Sequence, residues 1–144
     1  MDGARSWNAS LFLGIEMKEM VKDFDLISVC LSKGMGCPIG SMVVGTEKDI
    51  LAARNYRKML GGAMRQTGVF AACGLVSLMD WQEKLTKDNL NAAWLAQELA
   101  SIEGVLIEPE LVETNILRFR FKPSVLKNTV GGYRGFVGRL KEEE

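Results

Sequence analysis

Lys33 follows directly on a short apolar segment and precedes glycines at positions 34, 36 and 40 in the run CLSKGMGCPIGS, residues 30–41. An amine in that setting could act as a nucleophile. Lysine is competent in that role when desolvation or a cationic neighbour lowers its pKa, and its usual covalent partner is a carbonyl, with which it forms a Schiff base. Gly34, Gly36 and Gly40 strip the following backbone of side chains, so a large ligand could lie against it. A glycine-flanked lysine also ends many ordinary strands with its amine in water, and the local pattern leaves both readings open.

Composition narrows the chemistry available. The 144 residues contain no histidine, so the commonest general base near neutral pH and the commonest metal ligand are both missing. Zinc catalysis and Ser-His-Asp hydrolysis are thereby excluded for these residues, and no metal site is expected. Eighteen basic side chains balance eighteen acidic ones, which argues against electrostatic binding to nucleic acid or to a membrane surface. Cys30, Cys37 and Cys73 are an odd number with no CxxC pair, the usage of a reducing compartment. The opening MDGARSWN has no secretory pattern and no stretch reaches the length of a membrane span, so a cytoplasmic protein is expected. Hydrophobic residues at 47% and charged residues at 25% are those of a globular chain.

The elements that must position Lys33 follow from periodicity. Trp7, Leu11 and Phe12 predict a helix over residues 4–14, and Met17, Met20 and Val21 another over 16–23. Asp25 to Cys30 reads as a buried strand, and Ile39 to Gly45 as a second one. Thr46 with Asp49 three residues later opens a helix running to about Leu60, which Gly61 and Gly62 break. Residues 64–80 are almost wholly apolar or small and predict a helix buried on most sides or lying in a subunit interface. Residues 81–102 form an amphipathic helix, with Leu85, Leu90, Trp94, Leu95 and Leu99 among charges. Strands are expected at 105–107 and 116–121, and a frayed tail from Pro123 to the closing LKEEE.

Three segments, DGARSWNA at 2–9, CLSKGMGCPIGSMVVG at 30–45 and RKMLGGAMRQTG at 57–68, together resemble the threonine aldolases, and the resemblance runs over residues 1–122. It implies an α/β fold: part of the large, three-layer α/β/α domain of a fold type I pyridoxal-phosphate enzyme, with the start of a small C-terminal domain. Residues 1–100 would be the partial cofactor-binding domain, 101–122 the start of the small domain and 123–144 a divergent tail. The cofactor implied is pyridoxal 5'-phosphate, held by Lys33. Asp2, at the carboxyl end of a strand, would pair with the pyridine nitrogen and keep it protonated. Arg5 would lie by the ring hydroxyl and the substrate carboxylate, where a planar bidentate donor fixes one orientation. Ser32 and Arg65 would contact the cofactor, and Lys58 would bring positive charge to the substrate. The reaction implied is cleavage of a small β-hydroxy amino acid, threonine or allo-threonine, to glycine and acetaldehyde.

The resemblance also implies what these residues do not supply. Family members are more than twice as long; a phosphate-cradling loop, an imidazole stacked on the cofactor ring and a substrate-binding arginine fall outside the matched part. Ala63 stands where the family often has a third glycine. Two readings stay open at this point: a homo-oligomeric aldolase whose remaining elements come from elsewhere, and a catalytically inactive truncated relative acting at most through subunit association. A serine hydroxymethyltransferase-like or β-eliminating enzyme of the same fold is a third, disfavoured by DGAR and GGAMRQ. A sheet of so few strands leaves edges and apolar surface uncovered, which predicts low solubility.

Overall fold

The computed structural model describes residues 1–127 and 130–142, and the chain divides into two compact units, Met1–Leu90 and Asn91–Glu144. The first unit holds α1 (Ser6–Leu13), α2 (Met17–Val21), β1 (Leu26–Cys30), β2 (Ser41–Gly45), α3 (Glu47–Met59) and α4 (Gly68–Ser77). The helix α5 (Trp81–Ser101) starts in it and ends in the second unit. There follow β3 (Val105–Leu106), a 3-10 turn at Pro109–Leu111, β4 (Arg120–Phe121), α6 (Pro123–Lys127) and α7 (Gly132–Glu142). No helix among the described residues is long and apolar enough to cross a membrane.

β1 is the strand on which the first unit is organised. Along one edge it pairs antiparallel with β2, from Leu26 opposite Gly45 to Cys30 opposite Ser41. Against it the first residues of the chain run parallel: Asp2 bridges Ser28, the Gly3 amide donates to the Ser28 carbonyl at 2.7 Å, and the Ser28 amide donates to the Met1 carbonyl at 3.0 Å. Side chains alternate across a strand. Ile27 and Val29 therefore go into the core, each 5% exposed, while Leu26 and Ser28 are exposed on the opposite face. The strand expected to be buried is buried on one face.

The loop after β1 adds the largest buried side chains. Met35 is 2% exposed, and Leu85 of α5, at 1%, packs beside the loop so closely that a Cβ built on Gly34 would stand 2.5 Å from Leu85 Cδ2. Any side chain there would have to displace Leu85. Cys37 is buried too, its sulfur 3.1 Å from the Ser77 hydroxyl.

Several helices differ from their expected packing. In α1 the buried residues are Ser6, Asn8 and Ser10, whereas Phe12 and Leu13 are exposed. The Ser6 and Ser10 hydroxyls donate to the carbonyls of Gly3 and Ile15, so these small polar groups are buried with partners. The capping pattern of α3 forms as expected, the Thr46 hydroxyl accepting from the Asp49 amide. α4 starts at Gly68 rather than near Met64, because Gln66 takes a left-handed backbone, φ 52°, that interrupts a helix. Of its residues only Gly74 and Ser77 are buried; the expectation of a helix buried on most sides in this chain fails.

Within the part of α5 that lies in the second unit Ala92 and Ala96, not Trp94 or Leu95, are the buried residues, and Leu90 just before it is exposed. β3 pairs antiparallel with β4, Val105 opposite Phe121. The strand expected over 116–121 is paired only at Arg120 and Phe121. Phe121 makes edge contacts with Phe119 and with Phe136 of α7, at centroid distances of 5.5 and 4.7 Å. The expected frayed tail is therefore helical over Pro123–Lys127 and Gly132–Glu142; residues 128–129 and 143–144, including the last two of LKEEE, lie outside the described residues.

Candidate active site

The chain places Asp2 and Lys33 at the carboxyl ends of two adjacent parallel segments. Residues 1–3 end at the turn that opens α1, and β1 ends three residues before Lys33. In open α/β sheets ligands collect outside the carboxyl ends of the strands, where loops rather than ladder bonds shape the surface. Asp2 shares the sheet face of its bridge partner Ser28, opposite the buried Ile27 and Val29. Its carboxylate accepts the Ala4 amide at 3.0 Å, an Asx turn that fixes the side chain, and it is in no ion pair among the described residues.

Lys33 sits in a loop closed by the backbone. The Leu31 amide donates to the Gly40 carbonyl at 2.9 Å, the Cys37 amide to Leu31 at 3.0 Å and the Gly36 amide to Lys33 at 2.8 Å. Leu31, Met35 and Cys37 point inward and are buried, leaving Ser32 and Lys33 exposed between them. This alternation is what presents the amine.

Ser32 and the thiol of Cys30 lie 3.3 Å apart. The Ser32 hydroxyl lowers the Cys30 pKa below its ordinary value; the Ser32 amide, the Ser41 hydroxyl and the Lys33 charge act in the same direction. Arg5 occupies the N-cap position of α1 and is exposed, and its guanidinium makes no hydrogen bond or ion pair among the described residues.

Lys58 and Arg65 stand on the segments that follow β2. Lys58 is in the last turn of α3, a helix that packs on β2, and Arg65 is in the segment between α3 and α4; both are exposed. Among the described residues no hydrogen bond or ion pair joins either to Asp2, Arg5, Ser32 or Lys33.

Two residues that the motifs did not single out also belong to the neighbourhood. The Asn8 amide nitrogen donates to Asn89 Oδ1 at 2.9 Å, and Asn89 Nδ2 donates to the Asn8 carbonyl at 2.9 Å. Asn8 stands inside DGARSWNA, so its position was available in the sequence; Asn89 carries no local signal, being one polar residue among many on α5.

An exposed amine, a carboxylate with no ion pair among the described residues and a hydroxyl at the carboxyl ends of parallel neighbours suit a ligand with a carbonyl at one end and a basic nitrogen at the other. The chain is 44% identical over 117 residues to low-specificity L-threonine aldolase 1 of Arabidopsis thaliana, a match covering 81% of the chain and 33% of that relative. It is 46% identical over 99 residues to the low specificity L-threonine aldolase of Escherichia coli K12, covering 69% of the chain and 30% of the relative. The chain thus spans about a third of the length of the curated relatives it matches. A Listeria monocytogenes crystal structure assigned as an L-allo-threonine aldolase superposes with a TM-score of 0.77 at 24% identity, over 83% of this chain and 33% of that one. One from Exiguobacterium sp. 255-15, assigned as an aromatic amino acid beta-eliminating lyase/threonine aldolase, superposes at 0.76 and 22%, over 83% and 34%. At those identities the superpositions show a shared fold, that of the large α/β domain. Residues 1–122 match the family model described as beta-eliminating lyase, and the chain belongs to that family.

Proposed function

We propose that these residues are the lysine-bearing part of a low-specificity threonine aldolase, cleaving threonine and allo-threonine to glycine and acetaldehyde with pyridoxal phosphate as cofactor. The observation that carries this reading is the occurrence of the Lys33 loop and Asp2 at neighbouring carboxyl strand ends, in a chain 44–46% identical to threonine aldolases. The donor set fits the cofactor. A carboxylate free of ion pairs can meet a cationic ring nitrogen, and an exposed amine can take up an aldehyde carbon.

In this reading Lys33 attaches the cofactor, Asp2 holds the ring nitrogen in its protonated form, and Ser32 and Arg65 bind the cofactor's oxygens. Pyridoxal phosphate supplies an electron sink for the carbanion left when a Cα bond breaks. Arg5 and Lys58 hold the substrate carboxylate, and the orientation they impose selects the Cα–Cβ bond of a β-hydroxy amino acid as the one to break. The proposed enzyme is homo-oligomeric and cytoplasmic with active sites between subunits, in which Lys58 and Arg65 could serve the same or a neighbouring centre. Residues 1–100 belong to the cofactor domain in this assignment and 101–122 open the small one.

The test is attachment followed by turnover. Purified protein mixed with pyridoxal phosphate and reduced with borohydride should carry the cofactor mass on the peptide containing Lys33, and Lys33→Ala should lose both that mass and the visible absorption band. Glycine release from threonine and allo-threonine is then measured on the same preparation. Equal labelling of the Lys33→Ala protein on other lysines would sink the assignment.

A further inference from the structure

The ladder between residues 1–3 and β1 fixes Asp2 relative to Ser28, but Lys33 lies beyond the end of β1 in a loop the ladder does not reach. Something else must hold the two ends in register. The Asp2 segment continues into α1, where Asn8 is 3% exposed, and the Lys33 loop continues into Gly34, whose backbone faces Leu85, Asn8 and Asp88. A Cβ on Gly34 would be 2.5 Å from Leu85 Cδ2 and 3.6 Å from Asn8 Oδ1. Asn8 is in turn tied to α5 by the paired hydrogen bonds with Asn89, and Trp7 meets Trp81 of α5 edge-on at 4.9 Å.

We propose that Asn8 and Asn89 are positioning residues: their clasp, with Leu85 seated against Gly34, sets the distance between the Asp2 carboxylate and the Lys33 amine. Among the described residues neither asparagine hydrogen-bonds Asp2 or Lys33; each is bonded to the other. Both act through Gly34, the residue next to Lys33 in the chain, and through α1, which begins just after Asp2. Half-buried amides bonded to each other make a more directional joint than apolar packing does, because each bond fixes an angle as well as a separation. The α5 helix thereby becomes the strut on which both arms of the site are mounted. The consequence for chemistry rests on the functional reading above, since a misplacement of about 1 Å at a reacting group can cost about a hundredfold in rate.

Two measurements test it, one of which needs no cofactor. Amide hydrogen exchange at Gly36 and Cys37, which donate to Lys33 and Leu31, reads the order of the loop directly. Asn89→Leu, which removes both clasp bonds, should speed exchange at those amides about tenfold relative to amides of β1, on the loss of two part-buried hydrogen bonds. Asn89→Asp keeps the acceptor for Asn8 and should fall between. The rate of borohydride-trapped cofactor attachment at Lys33 should drop about tenfold in Asn89→Leu. In Gly34→Ala it should fall as far, and Gly34→Ala with Leu85→Val, which removes the colliding methyl, should recover most of it. Unchanged exchange and attachment in a folded Asn89→Leu protein overturn the proposal, as does failure of the double variant to recover over Gly34→Ala. If the unaltered protein shows the expected exchange pattern in its variants but takes up no cofactor on Lys33, the aldolase reading falls and the clasp stands.

Discussion

Cys30 shows how a strand end tunes single groups. Its side chain alternates onto the face of Ser28 and Asp2, and the Ser32 hydroxyl, Ser41 hydroxyl and Lys33 charge all favour its thiolate. A thiol whose native pKa lies below its unfolded one binds fewer protons in the folded chain. Folding then gains stability as pH rises from the native value to the unfolded one, keeps that gain above it, and loses it as pH falls through the native value. Ser32 is the largest cause, so Ser32→Ala should move the pH midpoint of Cys30 alkylation upward, toward that of the denatured chain. Iodoacetamide labelling followed by peptide mass spectrometry reads this against Cys37, which is buried beside Ser77 and should label slowly at every pH where the chain is folded. A midpoint that Ser32→Ala leaves in place would assign the shift to another neighbour. Met35 illustrates the other use of the same loop. It is an anchor rather than a chemical group, and at 2% exposure its truncation to alanine should cost about 2–5 kcal/mol of unfolding free energy in urea titrations, carrying Lys33 out of place with it.

Among the elements, those with local signals were legible and those decided by tertiary neighbours were not. Thr46 and Asp49 announce α3 by themselves, because a hydroxyl three residues before a free amide needs nothing else to bond it. Thr46→Ala should therefore speed exchange of the first-turn amides of α3 about fivefold, the equivalent of about 1 kcal/mol of capping, with little change at β1. The glycines around Lys33 and the apolar run of β1 are local signals of the same kind. They located the loop and its strand within a residue or two. The spacing of Trp7, Leu11 and Phe12 marks the helix α1 but not its covered face, since its buried residues are Ser6, Asn8 and Ser10. What keeps a polar stripe inside is a set of partners, the Gly3 and Ile15 carbonyls close by in the chain and Asn89 far along it, and no hydropathy periodicity encodes them. The same holds for α5, where Ala92 and Ala96 are covered in preference to Trp94 and Leu95: close approach favours small residues, and hydropathy alone favours large ones. The Asp2 arm was legible only through its family resemblance, because three residues running beside β1 carry no strand pattern of their own.

On the scale of the whole chain, apolar surface is left over. Along and after α4, Val69, Leu75 and Val76 are 69%, 69% and 65% exposed and Met79 is 83% exposed, while Met59 and Leu60 at the end of α3 are more exposed than most surface leucines and methionines. α4 belongs to the unit that carries Lys33, and β2 of that unit also shows Met42, Val43 and Val44 on its surface. Monomeric proteins seldom leave contiguous apolar patches of that kind in water, since each buried methylene is worth about 0.8 kcal/mol. The chain should therefore self-associate in a concentration-dependent way, and sulfate, which strengthens apolar burial, should lower its solubility limit further. Charge placed on the exposed side of α4 should reverse this. Leu75→Glu with Val76→Lys, at positions with no buried contact to lose, should change unfolding free energy by no more than about 0.5 kcal/mol while raising the concentration at which light scattering first increases. Attachment of cofactor to Lys33 in that variant should be unaltered in the dilute protein, because α4 meets the lysine loop through Cys37 and Ser77 on its opposite, buried side. If the double variant scatters at the same concentration as the parent chain, association runs through β2 or the end of α3 instead, and the corresponding substitutions at Val43 or Leu60 would then have to remove it.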